Sequence, residues 1–301
     1  MEKTDVIIIG AGPAGLSSAI YLARYGYSVR VLEAMAVGGQ LLLIDQIENY
    51  PGYELTKGYE LCDKMEAQAK SFGAVFSSDE VSKIEKDGDY FIVKGRKDYQ
   101  AKAVLIASGT KHKRLGLENE ESLEGRGVSY CATCDGPFFK NKDVCVVGGG
   151  DTALTEALYL AKICSSVTLI HRRDSFRGQK ILVDRVKNND KIKLQLSKTI
   201  DEIIADDKVK AVKLNTGEVI DTSAVFVFAG TLPNTSFVKD FVMLDGNNYI
   251  VTDGFMTTSC EGVFASGDVR TTPFRQVVTA TGDGAIAASS IDHYLSNKTF
   301  N

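Results

Sequence analysis

The sequence predicts an α/β fold in which one domain is inserted into another of the same kind. Three observations predict it. A strand, a glycine-rich turn, a helix and a second strand follow one another twice, over residues 6–33 and 144–171. The second copy, with its following strands, is complete by residue 229. The tail from residue 230 carries another buried-type strand, Val263–Ala265, and a closing helix, so it rejoins the first domain. The expected boundaries are 1–113 with 230–301 for the outer domain and 114–229 for the inserted one. The 301 residues suit two domains of ordinary size.

The bulk composition excludes several classes. With 44% hydrophobic and 25% charged residues the chain reads as globular. A net charge of −4 gives no general attraction for nucleic acid or an anionic membrane. The run Val6–Ile9 is too short for a membrane span and reads as a strand rather than a signal peptide. Six cysteines without a disulfide-framework spacing point to a reducing, cytoplasmic setting.

The first copy reads in order. Val6–Ile9 is a buried strand that runs into Gly10-Ala11-Gly12-Pro13-Ala14-Gly15. Gly10 permits the tight turn, Gly12 a close approach of a pyrophosphate, and Gly15 the packing of helix on strand. A helix through Leu16, Ala19, Ile20 and Ala23 offers its N-terminal N–H groups to phosphate. Strand Val29–Leu32 ends on Glu33, 23 positions after Gly10, where a carboxylate can accept from ribose hydroxyls. Gly38–Leu41 and Glu48–Gly52 read as surface turns. Residues 58–72 read as a helix with Cys62 and Met65 in the core. Residues 74–106 read as strands with a turn at Asp87–Asp89. The basic run Lys111–Arg114 reads as one domain crossing and Leu232–Thr235 as the other. The closing helix is expected over Ala280–Tyr294, with Gly282, Gly284 and Ala285 allowing a close approach.

The second copy is Gly148-Gly149-Gly150-Asp151-Thr152-Ala153, after strand Val144–Val147. The residue 23 positions after Gly148 is His171, not an acid, and it opens His171-Arg172-Arg173 with Arg177 four residues on. A carboxylate there prefers a free 2′-hydroxyl, whereas guanidinium forks suit a 2′-phosphate. The second site is therefore expected to take NADPH, and the first a cofactor with an unmodified adenosine ribose. Both domains read as Rossmann-like (three-layer ββα) nucleotide-binding folds.

Between the copies lies Cys131-Ala132-Thr133-Cys134-Asp135-Gly136. Two cysteines at this spacing can close a redox disulfide, and Asp135 can exchange protons with a thiolate as the ring opens. Half of a zinc site is the alternative, but zinc wants four ligands. Cys62, Cys145, Cys164, Cys260 and the three histidines are scattered.

Taken together, the motifs resemble the low-molecular-weight thioredoxin reductases of the pyridine nucleotide–disulfide oxidoreductase superfamily (class II). The resemblance rests on Gly10–Gly15, Gly38–Leu41, Glu48–Gly52, Cys131–Asp135, Gly148–Ala153, His171–Arg177, Pro233–Thr235, Gly267–Val269 and Arg275–Val277, in that order. It implies FAD in the first site, held at Gly10, Gly12, Pro13, Ala14, Gly15, Glu33, Gly39, Gln40, Leu41, Asn49, Val81, Gly267, Asp268, Arg275, Gln276 and Val277. It implies NADPH in the second, held at Gly148, Gly150, Asp151, Thr152, Ala153, His171, Arg172, Arg173 and Arg177. It further implies a homodimer, thioredoxin as the disulfide substrate, catalytic roles for Cys131, Cys134 and Asp135, and no metal. Cys134 would face the flavin and Cys131 attack the partner, with the two domains alternating between orientations. Ser108 and Thr152 depart from the family's usual residues and keep a polar group. Other readings stay open: a related flavoprotein disulfide reductase serving another redox partner; a flavoenzyme that draws electrons from ferredoxin or passes them to oxygen, where His171–Arg177 argues against ferredoxin as donor; and a non-enzymatic redox sensor.

Overall fold

The structure is a computed structural model that describes residues 1–300. The chain forms two compact units, Met1–Lys111 with the chain from Leu232 on, and His112–Thr231. No helix among the described residues is long and apolar enough to cross a membrane.

The first segment alternates strands and helices. Strand β1 (Glu2–Ile9) leads through the glycine turn into helix α1 (Pro13–Arg24) and strand β2 (Val29–Glu33). Pro13 opens α1, where its missing N–H removes no helical bond. Helix α2 (Gly58–Ser71) buries Leu61, Cys62, Met65 and Ala69, a stripe at helical spacing. Strands β3 (Val75–Ser78), β4 (Lys83–Asp87), β5 (Tyr90–Lys94) and β6 (Asp98–Ile106) follow, and β7 (Thr110–His112) leaves the unit.

The inserted segment holds β8 (Val128–Ser129), the short helix α3 (Ala132–Asp135), β9 (Asp143–Gly148), α4 (Asp151–Ile163), β10 (Ser166–His171) and α5 (Lys180–Lys187). Strands β11 (Ile192–Leu196), β12 (Ile200–Ala205), β13 (Val209–Leu214), β14 (Val219–Asp221) and β15 (Ala224–Phe228) complete it. Strand β16 (Thr231–Pro233) pairs with β7, and the tail adds β17 (Val263–Ala265) and helix α6 (Val277–Asn297).

In the first unit the sheet order is β3-β2-β1-β6-β5-β4. One side of β6 is shared: Asp98–Ala101 pairs with β5 and Val104–Ile106 with β17. The tail strand thus extends the parallel part of the sheet that the N-terminal strands began. Side chains of β1 alternate between two cores because strand residues point to opposite faces. Val6 and Ile8 pack with α1, α2 and α6, while Ile7 and Ile9 pack with Phe91, Val104, Val238 and Ile250. Gly284 is where α6 meets α1: a Cβ there would lie 2.3 Å from the Ala14 carbonyl oxygen. Gly282 faces open space instead.

The second unit carries a parallel sheet in the order β11-β10-β9-β15-β8 and a three-stranded antiparallel sheet, β12-β13-β14. Val144 and Val146 of β9 face Leu154, Leu160 and Leu182 of the helices. Cys145 faces Ile203, Val212 and Leu214 of the antiparallel sheet. Helices, parallel sheet and antiparallel sheet make three layers, which is the fold class expected.

Two local readings change. Gly39–Leu43 is a 3-10 turn that buries Leu41, only 2% exposed, in the core while Gly39 and Leu42 stay exposed, so the expected surface turn carries a core residue. Helix α6 starts three residues before the expected Ala280, because Gln276 and Thr279 form a capping box. Apolar periodicity alone does not show that cap.

Candidate active site

Cys131 and Cys134 form a disulfide, with their Cα atoms 5.4 Å apart. Strand β8 delivers the chain to Cys131, which caps α3: its Sγ accepts from the Cys134 N–H at 3.1 Å and lies 3.4 Å from the Thr133 hydroxyl. Those donors would stabilise negative charge on this sulfur once the ring opens. Cys134 is exposed and Cys131 half-buried. Ala132 is buried, and Gly136 lies against Leu160 and Ile163 of α4, which fixes the base of the turn. Asp135 accepts a 2.6 Å hydrogen bond from the Ser129 hydroxyl.

The other thiols are placed differently. Burial pushes Cys62 and Cys145 up to about 12 and Cys164 up to about 11, so they stay protonated and unreactive. Among the described residues no group of three His, Cys, Asp or Glu side chains could hold a metal ion.

In the first unit Gly10, Gly12, Pro13, Ala14, Gly15, Glu33, Gly39 and Gly267 come together around the N-terminus of α1. Gly10 needs its positive φ of 104°, and a Cβ there would strike the Ala107 carbonyl oxygen at 2.3 Å. Gly15 lies against the Gly10 carbonyl and Gly39 against Gly12. Glu33, at the end of β2, accepts from the N–H of Ala11 at 2.8 Å and of Met35 at 3.0 Å. Gln40 donates to the carbonyl and hydroxyl of Thr110 at 2.7 and 2.8 Å. Asn49 donates to Gln276 at 3.0 Å. Gly267 touches Ala14, and Gln276 and Val277 open α6. Burial pushes the Asp268 carboxyl up, Arg275 opposes that and Asp283 adds to it. Val81 lies two residues beyond Asp79, whose N–H donates to the Glu33 carbonyl at 3.0 Å.

In the second unit Gly148 ends β9, and Gly150 precedes α4, whose first residues are Asp151, Thr152 and Ala153. Ala153 packs on Gly148. His171 ends β10 and is 5% exposed; its ring stacks on Phe176, 5.6 Å between centroids. Its Nε2 is buried without a hydrogen-bond partner. Arg172, Arg173 and Arg177 are exposed, and among the described residues none of their guanidiniums forms an ion pair.

Sequence reasoning missed how this arginine loop is held. The N–H and side-chain amide of Gln179 donate to the two oxygens of Asp151 at 2.7 and 2.8 Å, and the Arg177 N–H donates to the Gly149 carbonyl at 2.8 Å. These contacts span 28 residues, so no local pattern announces them. The Arg270–Asp283 pair, at 2.7 Å and largely buried, was missed for the same reason.

Both sites fit a dinucleotide. A Cβ on Gly12 or Gly150 would meet open space, and neither α1 nor α4 has a side-chain cap, so each helix presents free N–H groups to phosphate.

The family described as "Pyridine nucleotide-disulphide oxidoreductase" matches residues 4–284. The chain belongs to that family, on its thioredoxin reductase branch. A thioredoxin reductase of Treponema pallidum is 47% identical over 298 residues, 97% of each chain. One of Bacillus subtilis is 44% identical, covering 97% of this chain and 94% of the relative. The crystal structure of Lactococcus lactis thioredoxin reductase in its FR conformation superposes with a TM-score of 0.95 at 41% identity, covering 98% and 100% of the two chains. Membership of the pyridine nucleotide-disulphide oxidoreductases makes the protein an oxidoreductase that uses a flavin and a nicotinamide nucleotide.

Proposed function

We propose that this thioredoxin reductase is NADPH-dependent and carries FAD: the first unit holds FAD, and the second holds NADPH and the redox disulfide. The observation that carries this is the Cys131–Cys134 disulfide, formed on the same unit as a nucleotide loop followed by three exposed arginines that form no ion pair among the described residues. The net reaction takes NADPH, one proton and oxidised thioredoxin to NADP⁺ and the thioredoxin dithiol.

When bound, NADPH would supply a hydride and FAD would pass its two electrons to the Cys131–Cys134 disulfide. The protein's residues do the rest. The N-terminus of α1, Glu33, Asn49 and the start of α6 hold the flavin nucleotide. The N-terminus of α4 takes the pyrophosphate of NADPH, His171 meets the ribose, and Arg172, Arg173 and Arg177 clamp the 2′-phosphate. Two electrons break the Cys131–Cys134 bond, and Asp135 gives a proton to one of the two sulfurs. The Cys131 thiolate attacks the thioredoxin disulfide, a mixed disulfide forms, and Cys134 displaces the reduced partner. Hydrogen bonds to Cys131 Sγ support its role as the nucleophile.

We infer a cytoplasmic homodimer. Tyr21, Tyr25, Tyr59 and Phe72 of the α1–α2 region leave much of their surface exposed on one chain, which suits a second copy. Sedimentation at micromolar concentration tests it: a monomer there would remove this reading.

Function is tested by an anaerobic NADPH titration followed in the flavin spectrum and repeated with thioredoxin. NADPH is expected to bleach the flavin and thioredoxin to restore it over many turnovers. Reduction by ferredoxin with no response to NADPH would replace the nucleotide assignment.

A further inference from the structure

Ser129 ends β8, is 3% exposed, and is held by the parallel pairing of that strand with Phe226 of β15. Its Oγ has three neighbours: Asp135 Oδ2 at 2.6 Å, the Cys131 carbonyl oxygen at 3.1 Å and the Cys131 N–H, which donates to it at 3.1 Å. The Asp135 N–H donates to that same Cys131 carbonyl at 3.1 Å. One hydroxyl hydrogen therefore faces two acceptors, a carboxylate and a carbonyl, inside a closed ring of bonds that spans the redox turn.

We propose that Ser129 is a positioning residue for Asp135: it holds the carboxyl group beside the redox disulfide in both of its protonation states. This rests on Asp135 being the proton donor proposed above. With Asp135 ionised, Ser129 donates to it, a charge-assisted bond of the stronger kind. With Asp135 protonated, the acid donates to Ser129 Oγ, and the serine hydrogen turns to the Cys131 carbonyl. Two electrons break the S–S bond, one sulfur leaves as thiolate and the other takes the Asp135 proton. The carboxylate left behind accepts the Ser129 hydrogen, so no buried polar atom loses its partner during the transfer. A hydroxyl does this because it can donate in two directions and accept in a third. Alanine offers none of these contacts, and threonine keeps all three.

The test is a double-mutant cycle on the FAD-loaded enzyme with NADPH and thioredoxin. Ser129→Ala is expected to lower kcat roughly 10-fold or more, the loss of one bond to a charged group, with KM for thioredoxin unchanged. Reduction of the flavin by NADPH should keep its rate, which also shows that the variant has folded. Ser129→Thr is expected to restore kcat, and Ser129→Ala should cost nothing further in an Asp135→Asn background. If Ser129→Ala costs as much with Asn at 135 as with Asp, the serine acts on the turn itself and the proposal is overturned. It is overturned too if Asp135→Asn collapses turnover while Ser129→Ala runs at the normal rate, and the role of Asp135 then stands. Normal turnover in Asp135→Asn removes that role, and this proposal with it.

Discussion

The imidazole of His171 occupies the space that a side chain on Gly149 would need: a Cβ built there lies 2.3 Å from the ring. The middle glycine of the second turn is therefore tied to the end of β10, two places the chain separates by 22 residues. Gly149→Ala should push the ring off Phe176. We expect a loss of stability of about 1–3 kcal/mol, the usual effect of overpacking, together with weaker NADPH binding. Urea unfolding and an NADPH titration check this, and an unchanged variant would show that the ring yields freely.

His171 also sets a pH dependence. Burial pushes its pKa below the ordinary 6.5, a hydrogen bond with the Ser175 backbone opposes that, and Arg177, Arg173 and Arg172 add to the depression. The unfolded chain thus binds the proton more tightly than the native one. The neutral ring's contribution is fully present above the unfolded value and is lost as pH falls below about 6.5. Unfolding midpoints at about pH 7.5 and about 5.5 should differ more in the parent than in His171→Asn. His112, also depressed by burial, titrates in both proteins and leaves the comparison intact. Equal pH slopes would remove His171 as the cause.

The exposed arginines should discriminate between the nicotinamide nucleotides. Arg172→Ala or Arg177→Ala is expected to weaken NADPH by roughly 10- to 100-fold, the loss of one bond to a charged group. NADH use should barely change. An equal loss for both nucleotides would mean that the two side chains serve the loop rather than the phosphate.

The two cysteines should separate in their effects. Cys131→Ser is expected to leave flavin reduction by NADPH intact and to abolish thioredoxin turnover. Cys134→Ser is expected to stop electrons leaving the flavin. Stopped-flow traces of the flavin band distinguish the two, and thioredoxin reduction at normal rates in Cys131→Ser would reverse the assignment.

Much of this protein was legible because its signals are local. The runs Val6–Ile9 and Val144–Val147, the two glycine turns and the stripe of α2 each report on a few neighbouring residues, and all become the elements expected. Leu41 was misread because turn residues such as Gly38 and Gly39 say nothing about what packs on them; the core around Cys62 and Leu61 buries it.

By itself the sequence determined the α/β fold, the doubled nucleotide-binding pattern, the redox pair and the difference in charge between Glu33 and His171–Arg177 at matching positions of the two copies. Those follow from residue type at short spacing. Tertiary structure alone decided that Ser129 holds Asp135, that Gln179 ties the arginine loop to Asp151 and that Gly284 sets the approach of α6 to α1. A hydrogen bond or a packing contact needs two groups within a few ångströms, and folding brings together partners that chain position leaves far apart.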